Sequence, residues 1–405
     1  MDGVPATGMT APVRAVLDRA FRDRPLPQIE RTERIEAGNR KRTVRITVVD
    51  GPDLVLQYVS GDPARPITEG ALSRAVAGRT PLPIPPIVAC GTLGGGSYLL
   101  REWVTGTALS EVFGSLDPPT RIETARTLGE SLGRVHTTLE VDAFGPLASD
   151  TEVSAAAVGG GIATTDTATI ASTAGTAATA GGGLAVVTPA ADWRTAFRGL
   201  VDDGLDAFHG PLADLEPAIR RALDAGIETI PRAPTPRPFP WDYRLGNVLV
   251  DGTDSGTGNG TGPELAAILD WESPRSAHRE FSLAKAEYLL ADWYDASVAN
   301  GDSGSGSDAD TDTDSGFGNV CGTPSAADGN DGVDGEAIRE AFYSGYVARL
   351  SIPDAYWNER RRLYRLGATV RAAFDSRGAV TRPGYPLVDA ERATRFHREH
   401  LRALL

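Results

Sequence analysis

The pattern of apolar and polar positions changes character along the chain. Residues 42–49 (RTVRITVV) and 54–59 (LVLQYV) are β-branched runs on either side of Asp50-Gly51, which predicts an antiparallel hairpin. Residues 86–91 and 97–104 (SYLLREWV) predict two more strands across Gly94-Gly95-Gly96. That glycine run reads as a hairpin turn and not as a phosphate loop, because no helix follows it. Between the pairs, 67–77 (ITEGALSRAVA) suggests a helix. From residue 120 the period becomes helical: TRIETARTLGESLGRVHTTL places apolar residues every three or four positions behind an Asp-Pro start. Segments 192–208, 212–227, 280–297, 336–351, 355–375 and 387–404 are mostly helical, and 246–251 with 265–271 reads as a strand pair. The expectation is an α+β chain of two lobes: a small antiparallel sheet with one helix over 1–104, and a mainly helical lobe over 105–405, with a connector at 101–106.

Three stretches break the pattern. Residues 148–190 are Ala, Gly, Thr and Ser with almost no charge, 251–263 read DGTDSGTGNGTGP, and 299–335 are Asp, Ser and Gly with little else. None carries enough apolar surface to offset its ordering entropy, so all three are expected to be flexible insertions in loops. About 310 residues remain to fold. Asp310, Asp312 and Asp314 alternate as in a calcium loop, but Ser315 stands where that loop needs Gly and Cys321 where it needs Glu.

Composition narrows the function. The net charge of −14 argues against nucleic acid as a partner. All but two of the basic residues are Arg, the exceptions being Lys41 and Lys285. An acidic excess with so little Lys suits a halophilic setting, where salt screens surface repulsion. No window reaches the roughly 18 apolar residues of a membrane span. Residues 1–24 lack a basic start followed by an apolar run, so a cytoplasmic protein without a membrane partner is expected. Cys90 and Cys321 support neither a disulfide nor a zinc site. His136 reads as a core residue, and His397 with His400 as a surface helix face.

The chemistry concentrates in two segments. Asp242 and Asn247 stand five positions apart across a turn, and the apolar run 248–250 follows; Leu265–Leu269 then forms a second apolar run ending in Asp270-Trp271-Glu272. Phosphoryl transfer needs a carboxylate to orient the attacking hydroxyl and hard oxygen ligands for metal ions on the phosphates. Asp242 can supply the first, and Asn247 and Asp270 suit Mg²⁺.

Together, Trp241-Asp-Tyr-Arg-Leu-Gly-Asn-Val-Leu-Val250 and Ile268-Leu-Asp-Trp-Glu272 resemble the catalytic and metal-binding segments of the aminoglycoside phosphotransferase and choline-kinase-like family. The similarity extends weakly over 28–145 and 191–405. It implies a protein-kinase-like fold and ATP- and Mg²⁺-dependent phosphorylation of a small-molecule hydroxyl. It further implies that Asp242 is catalytic, that Asn247 and Asp270 bind metal, and that the nucleotide lies against Lys41, Gln57, Glu69, Glu102 and Val104. Gly38-Asn39-Arg40-Lys41-Arg42 falls at the phosphate-loop position, and Glu102-Trp103-Val104 at the adenine-facing connector.

The chain departs from the family pattern at three places. Pro240-Trp241 replace the His-Gly before the catalytic Asp. Gln57 stands where the family has its phosphate-pairing Lys. The acidic residue that braces the catalytic loop in the family is either missing or displaced to Glu280, in the segment containing Lys285. Two alternatives stand for Lys41: a relocated cation, or part of a solvated basic turn with Arg40 and Arg42. The leading alternatives for the whole chain are a small-molecule kinase and a non-catalytic nucleotide-binding pseudokinase with a regulatory role; a third, weaker one is a kinase-fold relative that hydrolyses nucleotide or transfers it onto itself. Trp293, Tyr294, Tyr343, Tyr346, Trp357 and Tyr364 are candidates either for an acceptor pocket or for helix packing.

Overall fold

The computed structural model describes residues 9–35, 41–60, 64–150, 178–180, 183–251, 263–298, 333–385 and 387–405. Helix α1 (Ala11–Ala20) and strand β1 (Ile29–Ile35) precede the expected hairpin of β2 (Arg42–Val48) and β3 (Leu54–Ser60). Helix α2 (Ala64–Ala77) and strands β4 (Ile87–Leu93) and β5 (Gly96–Glu102) follow, giving an antiparallel sheet of order β1-β2-β3-β5-β4. Gly94 and Gly95 turn the β4–β5 hairpin at φ 57° and 80°, a region open to glycine. Alternation along the strands separates two faces. Tyr98 and Leu100 join Ile46, Leu54 and Leu56 against Val13, Val16 and Leu17 of α1. Leu99, of opposite parity, lies against Gly70 of α2.

The second lobe begins with β6 (Thr107–Ala108), α3 (Leu109–Val112) and α4 (Pro118–Thr138), the last capped by Asp117, which accepts from the Thr120 N–H at 3.0 Å. Helices α5 (Trp193–Leu205), α6 (Glu216–Gly226), α7 (Arg279–Glu287), α8 (Trp293–Val298), α9 (Gly335–Val347), α10 (Arg361–Ala372) and α11 (Ala390–Leu404) build most of the rest. Their core is aromatic: Trp193, Phe197, Phe281 and Tyr364 interlock, and the Trp193 indole donates to the Tyr364 hydroxyl at 2.8 Å. His136 is buried beside the Tyr346 hydroxyl at 2.8 Å, as expected. His397 is equally buried, held by the Tyr288 hydroxyl and the Thr381 carbonyl, so it belongs to the inner face of α11 and not to its surface.

Two further sheets position the functional loops. One has the order β10-β13-β7-β9-β8, formed by β7 (Gly145–Ser149), β8 (Ala178–Ala180), β9 (Leu184–Val186), β10 (Pro236–Phe239) and β13 (Arg275–His278). The ends of the 148–190 stretch are thus strands, because Leu147, Leu184 and Val186 provide apolar side chains to bury. The middle of that stretch, most of 251–263 and most of 299–335 lie outside the described residues. The third sheet has the order β12-β11-β6, with β11 (Val248–Asp251) and β12 (Glu264–Ile268) forming the expected pair. The lobes are tied by Ser149 N–H to Thr68 Oγ1 at 3.1 Å and by Ile268 N–H to the Pro83 carbonyl at 2.9 Å. Among the described residues, no helix is long and apolar enough to cross a membrane.

Helices α4 and α9 touch backbone to backbone. A Cβ on Gly129 would lie 1.8 Å from the Phe342 carbonyl oxygen, and one on Gly345 1.8 Å from that of Arg126. Only glycine permits this reciprocal approach. Gly129→Ala should lower unfolding free energy by about 3 kcal/mol, the upper end of ordinary overpacking, measured by chemical denaturation. Gly199→Ala, on an open helix face with nothing near its Cβ, should not destabilise.

Candidate functional site

The Asp242 loop is held by residues that alternate inward and outward. Tyr243 and Leu245 are buried, and the Tyr243 hydroxyl donates to the Leu128 carbonyl at 2.9 Å. Asp242 and Arg244 point the other way, into the cleft between the lobes. Arg244 Nε donates to Asp242 Oδ2 at 2.7 Å. A short helical turn, Leu245–Asn247, then brings Asn247 Nδ2 to within 2.8 Å of the Asp242 carbonyl and 3.4 Å of Asp242 Oδ2. Behind the loop, Lys285 is buried on α7 and donates to the Trp241 carbonyl. Burial pushes its pKa down to about 7, against the opposing pull of Asp242.

The second carboxylate follows from β11–β12 pairing. The Leu269 N–H donates to the Asn247 carbonyl at 2.7 Å, which places Asp270 beside Asn247. Asp270 adopts φ 60°, left-handed backbone that Asp tolerates better than most residues.

The cation opposite these groups is Lys41. Its Nζ lies 2.9 Å from Glu69, 2.8 Å from Asp270 and 3.0 Å from Glu272. The register explains how it gets there. Thr43 pairs with Gln57, which pairs with Leu99, and Arg101 lies two residues on. Lys41, Thr43, Gln57 and Arg101 therefore share one face of the sheet, all toward the cleft. Lys41, one strand over from Gln57, brings its ammonium to Glu69 of α2 on that face. Burial alone would lower its pKa, but Glu69, Asp270 and Glu272 outweigh this and hold it above the ordinary value. Burial raises Asp270, yet Lys41 more than offsets that and the carboxyl stays below its usual range. Glu272 moves the other way, raised by burial and by Asp270. Arg65 reaches Glu272 at 3.7 Å and Arg101 reaches Glu69 at 3.8 Å.

The cleft has a volume of about 990 Å³ and is lined by Lys41, Gln57, Arg101, Asp242, Asn247, Asp270 and Glu272 on one side. The acidic trio Glu69, Asp270 and Glu272 has its oxygens within 4.8 Å of one another. Over residues 31–304, spanning both lobes and all of these groups, the sequence matches the APH model, described as the phosphotransferase enzyme family. The chain belongs to that family. No curated protein sequence gives a significant match. Among solved structures, the chain is similar to a candidate fructosamine-3-kinase from Thermobifida fusca YX-ER1, at 17% identity and TM-score 0.51, covering 97% of this chain and 100% of that one. A second, from Haemophilus somnus 129PT and also described as a candidate fructosamine-3-kinase, aligns at 10% identity and TM-score 0.50 over 96% of each chain. At such identities the likeness shows the fold: the kinase-like arrangement of a sheet-rich and a helical lobe.

Within this phosphotransferase, Lys41, Gln57, Asp242, Asn247 and Asp270 line one cleft, with Glu69 buried just behind. Glu102 and Val104 lie at and beyond the end of β5, outside the lining residues, and the Glu102 N–H is used by the Pro86 carbonyl. Glu280 is not beside the Asp242 loop: it is buried in a two-pronged pair with Arg360, and Lys285 contacts the loop instead. Of the six aromatic candidates, Trp293 lines the cleft; Tyr294, Tyr343, Tyr346 and Tyr364 are buried in the core, and Trp357 is exposed. Arg101 escaped notice, although a charge inside the apolar run SYLLREWV was a visible signal. Arg275 and Arg371 also line the cleft and had no signal in the linear sequence.

Removing Lys41 leaves three gathered carboxylates without their shared cation. Lys41→Met should cost about 3 kcal/mol of stability at pH 8, typical of breaking a buried ion pair. The carboxylates of the folded variant would then titrate above their unfolded values. The folded state would bind more protons, so the deficit should shrink as pH falls from 8 to 5. Denaturant melts across that range would show it; a deficit independent of pH would contradict the shared-cation picture.

Proposed function

We propose that the chain is an ATP- and Mg²⁺-dependent kinase that moves the γ-phosphate to a hydroxyl of a small molecule. The observation that carries this is the convergence of Asp242, Asn247, Asp270 and Lys41 on one cleft. Asp242 orients the acceptor hydroxyl and takes its proton. The acceptor oxygen forms a bond to the γ-phosphorus as the bond to the β–γ bridging oxygen breaks, and ADP leaves. Arg244 fixes the Asp242 carboxylate by its 2.7 Å hydrogen bond, so that less reorientation is needed at the moment of transfer.

The donor set fits a hard cation. Asn247 commits its Nδ2 to the Asp242 carbonyl, which leaves its amide oxygen, and Asp270 offers a carboxylate held ionised by Lys41. Asn247 and Asp270 are the residues that would hold Mg²⁺, which supplies charge neutralisation on the phosphates when bound. Lys41, bridging Glu69 and Asp270, would be the phosphate-facing cation in place of a lysine at position 57. In this reading residues 1–104 form the nucleotide-binding lobe, with Glu102 and Val104 on the adenine side. Residues 105–405 form the catalytic lobe, and the protein works in the cytoplasm, where ATP is abundant.

The alternative of a regulatory pseudokinase rested on Gln57 and Pro240-Trp241. The first point weakens once Lys41 is seen on the same sheet face, and the second once Lys285 is seen holding the Trp241 carbonyl. Asp242→Asn separates the two. ADP release from MgATP with a panel of hydroxylated metabolites should fall about 10²–10⁴-fold, the usual worth of a positioned acid–base group, while MgATP still raises the melting temperature. Nucleotide-induced stabilisation of the native chain without turnover of any acceptor would favour the regulatory alternative.

A further inference from the structure

The cleft has a second, basic wall. Beyond Asp242 it is lined by Trp241, Arg275, Lys285 and Arg371, contributed by the Asp242 loop, β13, α7 and α10. The three cations surround one indole: Lys285 Nζ is 4.1 Å from the Trp241 ring centroid, Arg371 Cζ 5.5 Å and Arg275 Cζ 5.6 Å. Lys285 is 3% exposed, and its carbonyl partner carries no charge. Neither Arg275 nor Arg371 forms an ion pair with a described residue, and Arg371 Nε is buried without a hydrogen-bond partner. The nearby carboxylates are engaged elsewhere or remote. Asp242 is held by Arg244, and Asp375 accepts from the N–H groups of Arg377 and Ala379 in its own turn. Asp203 is exposed and acts on both arginines only at long range.

Cation–π attraction to the indole offsets part of the mutual repulsion but neutralises none of the charge. Burial, then Arg371, pushes the pKa of Arg275 down to about 10. A chain with an overall charge of −14 has thus gathered two under-neutralised guanidinium groups, together with the partly charged Lys285, along the cleft next to its candidate catalytic carboxylate. A polycationic acceptor would meet like charge there. An anionic group would relieve the repulsion and satisfy the free guanidinium N–H groups in one step.

We infer that Arg275, Arg371 and Lys285 form an acceptor subsite for an anion, so that the molecule phosphorylated carries a carboxylate or phosphate beside its hydroxyl. This rests on the kinase reading for the word acceptor; the anion preference itself is read by binding, independently of turnover. The test is calorimetric titration of the full chain, loaded with Mg²⁺ and a non-hydrolysable ATP analogue. The probes are gluconate, glycerol 3-phosphate, their neutral counterparts sorbitol and glycerol, and a polycationic aminosugar. An acidic probe should bind at least about tenfold more tightly than its neutral counterpart. That advantage should vanish in the double variant Arg275→Gln/Arg371→Gln, while affinity for the nucleotide analogue stays within about twofold. The two acidic probes tell carboxylate from phosphate. Because the arginines are under-neutralised, the double variant should fold and melt no lower than the parent, so loss of binding cannot be laid to unfolding. Equal affinity for acidic and neutral probes, preference for the aminosugar, or no binding of either acidic probe would overturn the inference. Tight acidic binding with no ADP release from MgATP for any acceptor of the hydroxylated panel would leave the subsite standing and reject the kinase reading.

Discussion

One ammonium group organises the centre of this molecule. Lys41 Nζ collects Glu69 from the first lobe and Asp270 and Glu272 from the second, all within 3.0 Å. Three carboxylates so close could not all stay ionised without it, because like charges at this range in a partly dry site cost far more than in water. Arg65 and Arg101 complete the balance from slightly farther out. The lobes also share hydrogen bonds, but this cluster, with Arg65 reaching Glu272 beside it, makes their relative position depend on charge. The same contact keeps Asp270 ionised, the state a cation-binding carboxylate needs.

That arrangement explains how the fold accommodates Gln57. A sheet face is a two-dimensional surface, and a side chain lost from one strand can be replaced from the next if the register brings a neighbour to the same face. Thr43 opposite Gln57 fixes that register, and Lys41 follows two residues away on the same side. A similar exchange occurs at the Asp242 loop. Glu280, which the sequence suggested as a brace, is consumed by Arg360, and the buried Lys285 reaches the loop carbonyl from the same helix. The cleft that results is polarised. Its Lys41 side balances acid against base, and its far side gathers basic side chains around Trp241.

Much of this was legible in the linear chain. The β-branched hairpin around Asp50-Gly51, the helical period after residue 120 and the Asp242, Asn247 and Asp270 spacing depend on local patterning, and local patterning survives folding. What escaped was decided by distant partners. Strand β1 offers apolar residues only sparsely along IERTERI and forms because β2 supplies an edge to pair with. Strands β7 and β9 sit at the rims of a low-complexity stretch and gain their meaning from burying Leu147 against Val186. His397 appeared to be one of a pair on a basic helix, and only the packing of α11 shows that it faces inward. Arg275 and Arg371 are ordinary arginines until the fold brings both against one indole.

On the proposed reading Lys41, one residue before β2, does what a lysine at position 57 would do from β3. Moving the lysine tests it most directly. MgATP affinity would be measured by calorimetry for the native chain, for Lys41→Gln, and for the swap Lys41→Gln/Gln57→Lys. Lys41→Gln should weaken MgATP by about tenfold or more, the worth of one charge-assisted phosphate contact, and the swap should regain a substantial part of that loss. Native-like affinity in Lys41→Gln, or a swap no better than the single variant, would contradict the account.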